Sequence, residues 1–369
     1  MFKNLILLIV LSVSQLQAQF PWENPLVIAH SSDGITFNNS TVFQDSSGVP
    51  SAISWKGDTL ICVFQWFRLP NPSASWDKVA VKFSYDNGIS WTEPTPIIIN
   101  GIPTQYQRPF DPTLVKLLNS DSLRIYYSSS DGIPMGGLDS TVNTYSALSA
   151  DGINFNFEPN PRVDVLNRKV IDPAVVYFNN SWHYTSPIGA PQDGANHYVS
   201  PNGINFSAAP VIASDNSHNW TGNFVVEDST ELRFYGSGPI IWYNSTANGG
   251  LWNGFINTNI QGGDPTVVKL SDSSYIMIYV GAPNFTALNI TDSNEAEYKI
   301  YPNPTADMIY IQSIAQKELI AYRIYNSSGQ LVQSGKVQNN SSIGLSGLKT
   351  GLFLLQLGAE SKTYKIIKQ

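Results

Sequence analysis

Asp111-Pro112-Thr113-Leu114-Val115-Lys116, a polar turn, then Leu123-Arg124-Ile125-Tyr126-Tyr127: this stretch decides the fold because it recurs. It returns as Asp172-Pro173-Ala174-Val175-Val176-Tyr177 before Trp182-His183-Tyr184, and as Asp264-Pro265-Thr266-Val267-Val268-Lys269 before Tyr275–Tyr279. Weaker copies open at Val49-Pro50 and Gly222-Asn223, ahead of Leu60–Phe64 and Leu232–Tyr235. Each unit is a β-branched run, a turn and an aromatic strand, the pattern of a buried hairpin. Copies opening at 49, 111, 172, 222 and 264 mark a repeat architecture.

A second unit alternates with the first. Ser84-Tyr85-Asp86-Asn87-Gly88-Ile89-Ser90-Trp91 has the full form, and shorter forms run Ser31–Phe37, Ser149–Phe155 and Ser200–Phe206 around Asp33-Gly34, Asp151-Gly152 and Asn202-Gly203. In such a turn Asp or Asn accepts backbone N–H bonds, Gly supplies φ > 0 and the aromatic covers the turn. These segments resemble the Asp-box of sialidases and other propeller proteins. The first of them precedes the first hairpin, and the last hairpin has none after it. That offset fits circular closure, with strands near 25–30 and 36–43 completing the last blade. The expected fold is all-β: a five-bladed β-propeller over residues 20–283, at about 50 residues per blade, closed by N-terminal strands.

Composition agrees. Only 13% of the chain is charged, against roughly 25% for ordinary soluble domains, while 12% is aromatic and Gly and Pro number 27 and 23. Coiled coils and long surface helices are excluded. A net charge of −7 and a pI near 5.1 argue against nucleic acid and anionic membranes as partners. Residues 1–19, with Lys3, the apolar Leu5–Val13 and a Gln17-Ala18-Gln19 exit, read as a signal peptide, and no other run is long enough to span a bilayer. Cys62 is the only cysteine and lies in a run reading as a buried strand, so its thiol is expected to be inert.

Residues 284–297 are polar and aperiodic, a linker. Residues 298–369 then show short alternating strands between Asn-Pro, Ser-Gly and Thr-Gly turns, the expectation for a small C-terminal β-sandwich. Tyr301-Pro302-Asn303-Pro304, Ile324-Tyr325-Asn326 with Gly329, Leu348–Gly351 and the basic end at Lys365 and Lys368 resemble the type A C-terminal sorting domain of the type IX secretion system of Bacteroidetes. The resemblance implies the type IX machinery as a partner and a secreted or cell-surface location.

In a propeller the first strand of each hairpin lines the central channel, and its start shares one face with the end of the second strand. Asp33, Asp86 and Asp151 then lie on the opposite face as structural groups. Asp111, Asp172 and Asp264 open inner strands and point into the funnel, where converging carboxylates suit the acid/base pair of glycoside hydrolysis. The chain here resembles five-bladed glycoside hydrolases of the arabinanase, xylosidase and levansucrase superfamily, which place a base Asp, a modulating Asp and an acid Glu on inner strands. Asp111 and Asp172 match that pattern. Val49 and Gly222 depart from it, and Glu227 has the opposite facing parity, as a solvated turn residue. The other reading of Asp-Pro is a strand-start device, with Asp bonding backbone N–H groups and Pro stiffening the approach.

Phe67-Arg68-Leu69-Pro70 resembles the arginine motif of sialidases, but no arginine trio falls on inner strands. Candidate funnel-side residues are Arg68, Trp66, Arg108, His197 and Trp220, the expected ligand being a poly- or oligosaccharide; His183 reads as a packed core histidine. No zinc-ligand spacing, phosphate loop or Ser-His-Asp signature is present, so neither metal nor cofactor is expected. The sequence leaves two functions open, a glycoside hydrolase using Asp111, Asp172 and Asp264, and a non-catalytic propeller binding glycans or proteins.

Overall fold

The computed structural model describes residues 24–67, 76–132, 141–271, 273–281, 298–313, 319–326, 330–357 and 362–369. Residues 1–19, read as a signal peptide, residues 284–297, read as a linker, and Arg68 lie outside the described residues. Two compact units divide the chain, ending at Phe285 and beginning at Thr286.

The first unit is a ring of five antiparallel sheets. From the axis outward, blade 1 is Ser47–Lys56, Thr59–Phe67, Trp76–Ser84 and Thr95–Pro96. Blade 2 is Phe110–Lys116, Leu123–Ser130, Val142–Ser149 and Asn154–Val163, with Ile98–Asn100 added in parallel at its rim. Blade 3 is Ala174–Phe178, Ser181–Pro187, Ala195–Ser200 and Ser207–Ala208; blade 4 is Asn219–Val226, Leu232–Ser237, Trp242–Thr246 and Ile256–Asn257. Blade 5 joins Gly263–Lys269 and Tyr275–Val280 to the N-terminal strands Leu26–Ser31 and Asn38–Gln44, with Leu26 opposite Val280 and Ser31 opposite Tyr275. The inner strands touch in blade order and the fifth returns to the first, so the ring is closed.

Packing explains the composition. Each junction between neighbouring blades has its own core: Ile61, Val81, Ile125 and Tyr145 between blades 1 and 2, for example, and Trp220, Phe234 and Trp242 between blades 3 and 4. Side chains on both faces of every blade are committed to such junctions. Cys62 is fully buried in blade 1, and burial pushes its thiol pKa far up, leaving an inert thiol.

The Asp-box turns form as the sequence suggested, and a fifth was missed. In blade 5 the Ser31 hydroxyl donates to Asp33 at 2.8 Å, and Asp33 accepts the N–H groups of Ile35 and Thr36 at 2.8 and 2.7 Å. Thr246, Asn248, Gly249 and Trp252 repeat this in blade 4, Asn248 accepting from Gly250 and Leu251 at 2.9 Å each. Thr for Ser together with Asn for Asp hid the motif. Each turn packs its glycine on the second strand of the preceding blade. Tyr126 donates to the Gly203 carbonyl at 2.7 Å and Tyr235 to the Gly34 carbonyl at 2.8 Å. The second bond pins the closing N-terminal segment, so Tyr235→Phe should cost about 1–2 kcal/mol for a lost buried hydrogen bond and an orphaned carbonyl. A lowered urea midpoint with unchanged slope is the expected result, and an unmoved midpoint would contradict the clamp.

The second unit is the expected β-sandwich. A three-stranded sheet (Tyr298–Tyr301, Met308–Ser313, Ser341–Gly344) and a four-stranded one (Leu331–Gln338, Leu319–Asn326, Gly351–Leu357, Lys362–Lys368) enclose Ile309, Ile311, Ile324, Phe353, Leu355 and Ile366. Among the described residues no helix is long and apolar enough to cross a membrane.

Candidate functional site

Four of the repeat openings share one backbone device: Val49, Asp111, Asp172 and Asp264 have positive φ, at 47°, 49°, 53° and 46°. In blade 4 the register puts Thr221 at this position and Gly222, at φ 154°, where the other blades have proline. In blades 1, 2 and 5 the pairing with the second strand slips next to the opening residue, as a β-bulge does, and in blade 4 it slips between Asn219 and Gly222. A bulge re-aims one side chain out of the regular alternation, here at the mouth of the channel. Asp tolerates the left-handed region better than most residues, whereas a β-branched Val49 there is strained.

Two residues further on, hydroxyls clasp neighbouring inner strands. Ser51 accepts the Leu114 N–H at 3.0 Å, Thr266 accepts that of Ala52 at 3.0 Å, and Thr113 donates to the Pro173 carbonyl. Asn223 donates to the Pro50 carbonyl at 3.1 Å across the channel. The openings are therefore fixed relative to one another by bonds between blades.

This scaffold brings Asp111, Asp172 and Asp264 together. The Asp172 N–H donates to Asp111 Oδ2 at 3.4 Å, and the charges of Asp111 and Asp264 both act on Asp172. Each of the three residues is half-buried. Desolvation is the dominant cause of their shifts, raising Asp111 to about 7 and Asp264 to about 6 and holding Asp172 well above the usual range. The Asp-box carboxylates behave oppositely. Backbone N–H donors pull Asp33 down, and the Ser90 hydroxyl and N–H hold Asp86 at about 2. One residue type thus serves two purposes, separated by whether donors or apolar walls surround it.

Beneath Asp172 and Asp264 the channel narrows to a cavity of about 10 Å³, walled by Pro50, Thr113, Pro173, Gly222 and Asn223. That is roughly the volume admitting one water. Past Asn223 the channel widens into a second cavity of about 220 Å³ lined by Ser51, Ser54, Val176 and Trp182 among others. Among the described residues no group of three or more His, Cys, Asp or Glu is placed to hold a metal ion.

The remaining candidates divide. Arg108 stands partly exposed beside the blade 2 opening, paired with the Asp77 carboxylate, which also takes the Gln65 amide at 2.5 Å. His197 does not reach the funnel: it is 4% exposed on the third strand of blade 3, stacked on His183 with Nδ1···Nε2 at 3.3 Å. The Gly-rich segment before it turns the chain back into the blade. Trp220, at 1% exposure, is caged by Phe234, Trp242, Trp252 and Phe255, and Trp66 lies in the core between blades 5 and 1. Both are packing residues. Glu227 is not a solvated turn residue. It accepts from Lys269 at 2.6 Å and Tyr275 at 2.5 Å and pairs with Arg233 at 3.3 Å, at the far end of its inner strand from the Asp cluster. Sequence reasoning missed Ser128 and Ser237, whose hydroxyls adjoin the Asp111 and Asp264 carboxylates; serines at strand ends carry no signal of such a contact.

The stacked histidines make acid stability predictable. Burial lowers both pKa values, His197 to about 4 with help from His183. Their contribution is complete above the unfolded value near 6.5 and is lost as pH falls towards 4. Wild type should therefore lose up to about 3 kcal/mol relative to His197→Gln between pH 7 and pH 4. Subtracting the two urea-midpoint curves isolates this from the Asp cluster, and a flat difference would contradict it.

Residues 299–369 match the secretion system C-terminal sorting domain family. The chain carries the type IX signal for export to the cell surface or beyond. No curated protein matches the chain. Similar solved structures include an alpha-L-arabinofuranosidase from Clostridium thermocellum, at 13% identity, covering 81% of this chain and 95% of that one, TM-score 0.49. An N-acetylgalactosamine deacetylase from F. plautii, in complex with blood group B trisaccharide, gives 11%, 88%, 95% and 0.44 in the same order. A Bombyx mori beta-fructofuranosidase gives 14%, 94%, 89% and 0.43. The five-bladed assignment rests on the chain's own strand pairing.

Proposed function

We propose that the exported protein is a glycan-active propeller and a glycoside hydrolase whose chemistry is carried by Asp111, Asp172 and Asp264. The observation that carries this reading is the cluster itself: three carboxyls opening the inner strands of different blades, all at positive φ, with pKa values raised chiefly by desolvation. Acid/base work near neutrality needs carboxyls moved in that direction. A strand-start device alone would be served by donors, as in the Asp-boxes.

One observation favours a second reading, a propeller that binds glycans without cleaving them. Val49 and Gly222 leave two openings without a carboxyl, and Glu227 is tied into ion pairs away from the funnel. The purified protein, incubated with arabinan, xylan, fructan and sialylated glycans, separates the two. Release of reducing ends by wild type but not by Asp111→Asn supports hydrolysis, and binding without release by wild type favours the second reading.

A further inference from the structure

Neighbouring inner strands of the ring belong to different sheets, so no backbone ladder fixes the distance from one opening to the next. Among the described residues, no main-chain hydrogen bond joins Phe110–Lys116 to Ala174–Phe178 or to the Asp172-Pro173 step before it. That spacing is left to side chains, and blade 2 supplies two of them. Asp111 Oδ2 accepts the Asp172 N–H at 3.4 Å, and the Thr113 hydroxyl donates to the Pro173 carbonyl. The two bonds grip the step from either end, one at its first N–H and one at its last carbonyl. The Asp172 side chain leaves the backbone between them.

Thr113 is the firmer of the two grips. Its β-branched side chain is only 2% exposed and has few rotamers open to it. Behind it stands Asn223, with Oδ1 3.4 Å from the hydroxyl and the amide donating to the Pro50 carbonyl at 3.1 Å. The opposite orientation of that amide would set oxygen against the Pro50 oxygen, so Asn223 is itself held. The third carboxyl is fastened separately: the Asp264 N–H donates to Ser237, whose hydroxyl donates to the Thr221 carbonyl, both in blade 4. Ala174, two residues past Asp172, has no hydroxyl with which to hold the next blade.

We propose that Thr113 is a positioning residue whose hydroxyl sets the separation of the Asp111 and Asp172 carboxyls. Its effect on rate rests on the glycoside-hydrolase reading; the separation itself does not. Two carboxyls act on one glycosidic bond only at a matched spacing, and a misplacement of about 1 Å costs on the order of 100-fold in rate.

Thr113→Val keeps the branched shape and removes the hydroxyl. On the glycan that wild type cleaves, its kcat should fall about 10- to 100-fold with KM little changed, and Thr113→Ser should recover most of the loss. An unchanged kcat, a loss carried by KM, or a Ser variant no better than the Val variant overturns the role. Crystal structures of wild type and Thr113→Val read the spacing itself. The Asp172 N–H should leave Asp111 and the two carboxyls should stand farther apart; superposable openings overturn the proposal. Should Thr113→Val prove insoluble, Thr113→Ala, which leaves room for a water on the Pro173 carbonyl, takes its place in both readouts. If wild type releases sugar from no glycan, the functional reading fails, while the two crystal structures still decide what Thr113 positions.

Discussion

Asp111→Asn should lower glycan hydrolysis to background and at the same time raise the thermal midpoint at pH 7.5. The two effects share one cause. Asp111 titrates at about 7 when folded, because burial and Asp264 oppose its charge, and near 3.9 when unfolded. The folded state therefore binds a proton that the unfolded chain has lost, and stability falls as pH rises from about 4 to 7. Above pH 7 the fold carries the whole burden of that buried charge. An amide of the same shape removes it. The pKa difference sets a ceiling of about 4 kcal/mol, and the partly accessible site should return about 1–3 kcal/mol, a few degrees in midpoint. The same substitution removes an acid/base group, worth about 100- to 10,000-fold in rate. A variant that loses activity and stability together would mean that the cluster is structural.

Gly222→Asp should abolish folding, although the repeat pattern invites it. Three of the other openings are aspartates, and the substitution would appear to restore a missing carboxyl. In the structure Gly222 stands one residue past the Asp position, where the other inner strands have proline. Its φ is 154°, and a Cβ there would lie 2.0 Å from the Tyr235 backbone carbonyl oxygen. Backbone cannot rotate away as a side chain can, so the inner strand must separate from its hairpin partner. A loss above about 3 kcal/mol is expected, seen as insoluble protein or a collapsed urea midpoint. Soluble protein with an unchanged midpoint would contradict the geometry of that opening.

These cases show where the sequence was legible. Asp-Pro-x-Val-Val recurs because the inner strands need the same opening, buried run and turn, so repeat number and closure could be read directly. The Asp-box turns were legible wherever Ser and Asp or Asn stood together, and invisible where Thr246 replaced Ser as well. Roles set by tertiary neighbours were not legible. His197 follows a loop-like segment yet pairs with His183, which lies on the adjacent strand of the same blade. Trp220 lies near the start of the inner strand of blade 4, but its ring is drawn into the blade 3–4 core. Glu227 has the composition of a surface turn, and only the packing of blade 4 on blade 5 supplies Lys269 and Tyr275. Strand period fixes the face of a side chain; it does not say which neighbours crowd that face.

The most direct measurement is a crystal structure of Asp172→Asn with an oligosaccharide of whichever glycan wild type cleaves. The account predicts a glycosidic bond seated in the funnel, within about 3 Å of the residue 172 amide and facing Asp111 or Asp264. A sugar bound at another surface, with the three openings untouched, would contradict it.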